Sequence, residues 1–316
     1  MQEGKIECTH DFYLKLFHLL LASGELTYDN FDLIMLDEAG DLNPVTMEIF
    51  KLLPATHKIA VGDQHQNIYR FNYTINCFEQ LKGKSFKLTQ SFRTATDIAK
   101  RIDRFGKTYF SKDFSFHGIT HKDQSIATRA YLTRTNSALV HKMVELNASA
   151  TPYSLVRKAS EIFKLPLMLC GLKHNGFVAN PAYKHIQADV DYWYENEDLH
   201  AKYKSPISYI GHLYDEDLQL SQAVRLVNKY SRGVIMAAYT EAHKHEKTKQ
   251  ALTLCTVHSS KGLEFDEVVI ATDLNESLTK IVAKNGATTP DEVESLNLYY
   301  VACTRALKLL HSAIHL

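Results

Sequence analysis

The sequence predicts an α/β protein built on parallel sheets and divided into two domains. Three observations carry this. The apolar run Leu33-Ile-Met-Leu36 ends in the carboxylates Asp37, Glu38 and Asp41, and a strand apolar on both faces reads as one buried in a parallel sheet. A second short strand, Lys58 to Val61, closes on Gly62-Asp63. From Ile126 the alternation starts again, with a strand Ala130-Tyr-Leu-Thr-Arg134, a helix Ser137 to Leu146, and strands Leu252 to Val257 and Glu267 to Ala271. Strands alternating with helices are the pattern of a parallel sheet. With 316 residues, 45% of them hydrophobic, the chain can fill two cores.

Taken in order, residues 11 to 24 read as a helix stopped near Gly24. The acidic strand follows. Pro44 to Leu53 is expected to be helical, with Asn43 as N-cap and Pro44 in the first turn, where its missing N–H costs nothing. After the Lys58–Val61 strand, Phe86 to Leu88 reads as a third strand and Ser91 to Phe105 as a helix. About residues 172 to 247, rich in Tyr, His, Lys and Glu, form a helical insertion in the second sheet. A helix through Asn297 to Ala306 and a terminal strand near Leu309 to Ile314 complete the expectation. The domains divide as 1–95 and 96–316.

Composition excludes several classes. The 36 basic and 36 acidic residues cancel, so the chain is not a strongly basic nucleic-acid coat, although a local groove remains open to it. The five cysteines are scattered without a CxxC pair, which argues against a disulfide framework or zinc site and for an intracellular setting. Leu14 to Ala22, interrupted by Lys15 and His18, is too short for a membrane span and lacks a signal-peptide layout. His243 and His245 stand in a charged run that reads as a solvated helix face.

Carboxylates at the carboxyl end of a parallel strand lie where α/β sheets bind ligands. One can hold Mg²⁺ through water while the next orients a water that attacks a phosphate; the alternative is a solvated acidic turn. Four further segments follow: Val61-Gly-Asp-Gln-His-Gln-Asn-Ile-Tyr-Arg-Phe71, Leu88-Thr-Gln-Ser-Phe-Arg-Thr94, Thr256-Val-His-Ser-Ser-Lys-Gly-Leu-Glu-Phe265 and Asn297-Leu-Tyr-Tyr-Val-Ala-Cys-Thr-Arg-Ala306. In this order, the five resemble the motifs of the UvrD/Rep-like superfamily 1 DNA helicases. Thr9-His-Asp-Phe-Tyr-Leu-Lys15 and Leu88-Thr-Gln-Ser-Phe-Arg93 are most similar to the F-box DNA helicase branch. The resemblance covers nearly the whole chain, most weakly between 155 and 247.

The resemblance implies two RecA-like (P-loop NTPase) domains, the first incomplete and the second complete with a helical insertion. It implies MgATP hydrolysis coupled to 3′–5′ movement on single-stranded DNA. Asp37 would position Mg²⁺, Glu38 would act as general base, and Gln66 would bond the γ-phosphate or the attacking water, since an amide both donates and accepts. Arg93 and Arg305 would neutralise charge on the transferring phosphoryl group, a role suited to arginine's permanent charge and forked donors. Phe92 would face adenine, with Gly262 and Glu264 at the nucleotide and Glu264 on a ribose hydroxyl. Tyr69 and Phe71 would stack on bases, worth about 1–3 kcal/mol each. Arg134, Thr256, His258 and Ser259 would contact DNA phosphates, which fix position without reading sequence.

The sequence departs from the family pattern in places. No GxxGxGK[ST] loop precedes Asp37, and Gly83-Lys-Ser85 lacks the upstream glycines. Gly40 stands for the usual glutamine and Asn72 for the usual arginine. Autonomous turnover is therefore not expected. The phosphate loop would come from a second polypeptide or have been lost from the gene product. The alternative is a non-catalytic DNA-binding or regulatory remnant.

Overall fold

The computed structural model describes residues 9–69, 76–176, 181–246 and 248–316. Helix α1 (His10–Ser23) begins where the Thr9 hydroxyl accepts the Phe12 N–H and ends at Gly24, whose φ of 76° suits a residue without Cβ. Strand β1 (Phe31–Leu36) leads to α2 (Pro44–Leu52), capped by Asn43 Oδ1 accepting from Thr46 N at 2.8 Å, and then to β2 (Ala55–Ala60). β1 and β2 pair in parallel, with Leu33 opposite His57 and Met35 opposite Ile59. Met47 of α2 packs with Leu36, Ala60 and Cys77.

The expectation of a strand buried on both faces fails for β1: Leu33 is 45% and Met35 65% exposed. The physical reason is facial: Leu33 and Met35 share one face of the strand, Leu36 on the other face packs with Met47, and α1 buries none of its own side chains. The strand expected at Phe86–Leu88 is also displaced. Phe86 and Leu88 are 85% and 90% exposed, and the strand is β3 (Gln90–Ala95), so the helix expected from Ser91 starts later, as α3 (Thr96–Tyr109). Gln90–Ala95 is extended because it pairs with β4 (His117–Ile119), a partner that local sequence does not reveal.

The second sheet has five parallel strands in the order β6-β7-β5-β8-β9: β5 (Arg129–Thr133), β6 (Ser154–Leu155), β7 (Leu252–Thr256), β8 (Phe265–Ile270) and β9 (Ala306–His311). Helix α4 (Asn136–Ala148) follows β5. Between β6 and β7 run α5 (Ala159–Ile162), α6 (Lys164–Asn175), α7 (Lys184–Glu195), α8 (Glu197–Lys202), α9 (Pro206–Leu213), α10 (Leu218–Lys229) and α11 (Arg232–His245). The helical run thus begins at Ala159, ahead of the expected 172, because Ile162, Leu169 and Leu172 join one apolar cluster with Val224, Ile235 and Leu254. The remaining helices are α12 (Val257–Ser260), α13 (Thr272–Ala283) and α14 (Pro290–Thr304).

The chain divides into two units, residues 1–89 with 286–301, and 90–285 with 302–316. Against the expected 1–95 and 96–316, β3 falls in the second unit and most of α14 in the first. The architecture is α/β with parallel sheets, as the sequence predicts.

A carboxylate braces the start of β5. Asp266 Oδ2 accepts the N–H of Ala127 (2.9 Å) and Thr128 (3.0 Å), and Oδ1 meets Lys308 Nζ at 3.0 Å. Desolvation opposes its ionisation, but Lys308 and the backbone donors prevail and hold the carboxyl at about 2. A depressed folded-state value means stability that is full above the unfolded value near 3.9 and is lost as pH falls through about 2. Acid unfolding monitored between these values should therefore show a slope that Asp266→Asn removes, together with a loss of about 2 kcal/mol at neutral pH.

Candidate functional site

In the first unit, Asp37 and Glu38 leave the end of β1 exposed to solvent. Asp37 Oδ1 accepts the Glu38 N–H at 2.9 Å, and Glu38 holds φ at 53°, a conformation uncommon for a residue with a side chain. Two glycines bring this turn against the turn after β2. A Cβ at Gly62 would lie 2.7 Å from Ala39 N and 3.0 Å from Gly40 N, and one at Gly40 would collide with the Asp63 carbonyl. The glutamine usual at position 40 would meet that same carbonyl. The Ala39 N–H donates to Val61 O at 2.9 Å, closing the two turns together. Gly40→Ala should accordingly lower the stability of this unit by about 1–3 kcal/mol, read by urea unfolding; an unchanged midpoint would mean that the turns are not packed as described.

The second turn is ordered by Asp63, a carboxylate outside the set of expected site residues. Asp63 Oδ1 accepts the His65 N–H at 2.9 Å, and Oδ2 accepts from Gln66 Nε2 at 3.0 Å and from the Tyr300 hydroxyl at 2.8 Å. Asn297 Nδ2 donates to Asn67 O at 3.0 Å. Burial lowers the His65 imidazole below its ordinary value, against the pull of Asp63. Asp63, Asn297 and Tyr300 all lie inside the quoted motifs, and the signal for Asp63 is its place as N-cap of the turn Gln64–Gln66. Tyr69 is half-buried, and desolvation followed by the Asp41 charge raises its phenol. Phe71 and Asn72 lie outside the described residues.

In the second unit, Phe92 is 81% exposed, a free aromatic face. Arg93 Nη1 is paired with Glu264 Oε1, across 171 positions of sequence. Glu264 follows Gly262, which turns the chain at φ 82° after α12. Arg305 is 3% exposed, and its guanidinium donates to Leu263 O (3.3 Å) and Thr304 Oγ1 (3.2 Å). The expected phosphate arginine thus holds the turn that carries Glu264. Thr256 is buried and caps α12: its hydroxyl lies 2.8 Å from Ser259 Oγ, and Ser259 Oγ donates to Thr256 O at 3.1 Å. His258 is half-buried beside them.

Arg134 sits at the end of β5, where Asp273 Oδ2 accepts the N–H of Arg134 (3.0 Å) and Thr135 (2.9 Å). Burial raises the Asp273 carboxyl above its ordinary value despite those donors. Nothing in the local sequence marked Asp273, because the turn it braces is 138 positions away.

The donor set at the end of β1 fits Mg²⁺, which takes one or two carboxylates and completes its shell with water and phosphate oxygens. Among the described residues no group of three or more His, Cys, Asp or Glu is arranged to hold a metal by itself. No described helix is long and apolar enough to cross a membrane.

Two family models match the chain: the UvrD/REP helicase N-terminal domain over residues 10–86 and the UvrD-like helicase C-terminal domain over 208–315. The chain is 26% identical to F-box DNA helicase 1 of Gallus gallus, over 98% of this chain and 31% of that protein. It is 25% identical to F-box DNA helicase protein 1 of Schizosaccharomyces pombe, over 95% of this chain and 35% of the relative. A probable DNA helicase of Mycoplasma pneumoniae is 24% identical over 95% of this chain and 47% of its own length. The chain therefore spans about a third to a half of these relatives.

Proposed function

The chain belongs to the UvrD-like helicase family, and from that premise we propose that it forms the motor portion of an ATP-dependent DNA helicase moving 3′ to 5′ on single-stranded DNA inside the cell. The observation that carries this reading is the packing of the Asp37-Glu38 turn against the Asp63–Gln66 turn through Gly40 and Gly62. Paired carboxylates beside an anchored amide can hold Mg²⁺ and position the water that attacks a phosphoryl group. Asp37 would hold the magnesium of MgATP, which supplies the phosphoryl group and offsets its charge. Glu38 takes a proton from the attacking water, and Gln66, fixed by Asp63, orients that water. Phe92 offers a stacking face, Gly262 and Glu264 bind the nucleotide, Arg93 neutralises charge on the transferring phosphoryl group, and Arg305 orients the site by holding the Leu263 turn that carries Glu264. Tyr69, Phe71, Arg134, Thr256, His258 and Ser259 track the DNA strand.

A second reading, a non-catalytic DNA-binding relative, is favoured by one observation: Arg305, expected on the transferring phosphoryl group, is 3% exposed and donates to the Leu263 carbonyl.

The test is anisotropy of a labelled single-stranded oligonucleotide with and without MgATP, alongside ATP hydrolysis. The proposal expects salt-sensitive binding, altered by MgATP, and DNA-stimulated hydrolysis. Binding that is indifferent to nucleotide would favour the second reading, and no binding at low salt would overturn both.

A further inference from the structure

Two sheets meet in the second unit, the β3–β4 pair and the five-stranded sheet whose edge is β9. β3 carries Arg93, and β9 begins directly after Arg305. The two strands lie side by side without a ladder of hydrogen bonds. One side chain bridges them: His121 Nε2 lies 2.8 Å from Arg93 O and 3.1 Å from Leu307 O. Both partners are carbonyl oxygens, which only accept, so Nε2 carries the hydrogen and divides it between the two strands.

The same residues are joined a second time through side chains. Arg93 pairs with Glu264, and the Arg305 guanidinium donates to the adjacent Leu263 carbonyl. The path Arg93–Glu264–Leu263–Arg305–Leu307–His121–Arg93 closes on itself. The Arg93 side chain is 51% exposed, so its ion pair alone is weak and its geometry depends on the backbone beneath it. The backbone anchor is His121.

We propose that His121 is a positioning residue for the nucleotide site: it fixes the spacing of Arg93 and Arg305 and thereby keeps Arg93 against Glu264. This rests on the reading of Arg93 as a phosphate-binding residue. It adds a residue outside every motif that carries the family resemblance, since His121 falls between Leu88–Thr94 and Thr256–Phe265. The side chain acts through backbone carbonyls and touches no nucleotide.

Two measurements on the whole chain separate this inference from the functional reading. The first needs no nucleotide. Phenylglyoxal modification of Arg93, followed by mass spectrometry, should be about threefold faster in His121→Ala, the size expected for releasing a half-exposed ion pair. Glu264→Gln should do the same, and modification of Arg104 on α3 should not change. His121→Gln, which retains an N–H donor, should restore most of the protection.

The second measurement is titration with a fluorescent MgATP analogue. His121→Ala should weaken binding about tenfold, the loss expected for one misplaced charge-assisted contact, and should cost nothing further in an Arg93→Ala background. Unchanged Arg93 reactivity in His121→Ala, or an equal loss of affinity with and without Arg93, would overturn the proposal; the latter would mean a general effect on stability. If Arg93 is released but the wild-type chain binds no nucleotide, the positioning by His121 stands and the nucleotide reading falls.

Discussion

Glu38→Gln should reduce ATP hydrolysis by about 10²–10⁴-fold, the contribution of a positioned general base, while leaving MgATP affinity within about twofold. The change removes only the basicity of the side chain. Glutamine can occupy the same space and adopt the same positive φ that Glu38 has, and the Glu38 N–H keeps its acceptor in Asp37. Asp37, the residue assigned to Mg²⁺, is untouched. Single-turnover hydrolysis with radiolabelled ATP resolves slow rates and is the measurement of choice. A rate within a few-fold of the unmodified chain would remove Glu38 from its role, and a parallel collapse of nucleotide affinity would reassign it to binding.

Arg305→Ala should have the largest effect on stability, a loss of about 2–4 kcal/mol. The reason lies in burial. At 3% exposure the guanidinium is a structural member of the Leu263 turn, and its removal leaves the Leu263 carbonyl and the Thr304 hydroxyl without those donors. A cavity the size of the side chain adds to the cost. Arg305→Lys keeps the charge but not the forked donors, and should recover only part of the loss. Urea unfolding and nucleotide affinity are read together. A residue acting only on the phosphoryl group would lower turnover and leave the unfolding midpoint in place. The structure instead leads us to expect the midpoint to move, with affinity falling because Gly262 and Glu264 are no longer held.

The acidic strand, its following helix with the Asn43 cap, the β5–α4 unit and the strands expected from Leu252 and Glu267, the latter starting at Phe265 in the structure, were all legible in the chain. Each depends on local patterning: an apolar run, a cap one residue before proline, an acceptor at the turn. The ordered motifs likewise carry the candidate site residues in their own types and order. What local patterning does not contain is the partner of each strand. Gln90–Ala95 is extended because β4 lies beside it, and Leu33 and Met35, on the face of β1 opposite the Leu36–Met47 contact, are exposed.

The same division runs through the candidate site. Residue types and their order were determined by the sequence alone: carboxylates at a strand end, an amide after the next strand, two arginines, a glycine–glutamate turn. Their physical situation was decided only by tertiary structure. Asp63 orders Gln66 and is itself held by Tyr300, 237 positions away; Glu264 meets Arg93 across 171; His121 ties Arg93 to Leu307, which lies 186 positions beyond the histidine. Arg305, which by type and motif reads as a charge aimed at phosphate, is folded into the core on a backbone carbonyl. A hydrogen bond acts over about 3 Å and is indifferent to sequence separation, so pairings of this kind leave no periodic or local trace, and only the folded chain brings the partners within reach.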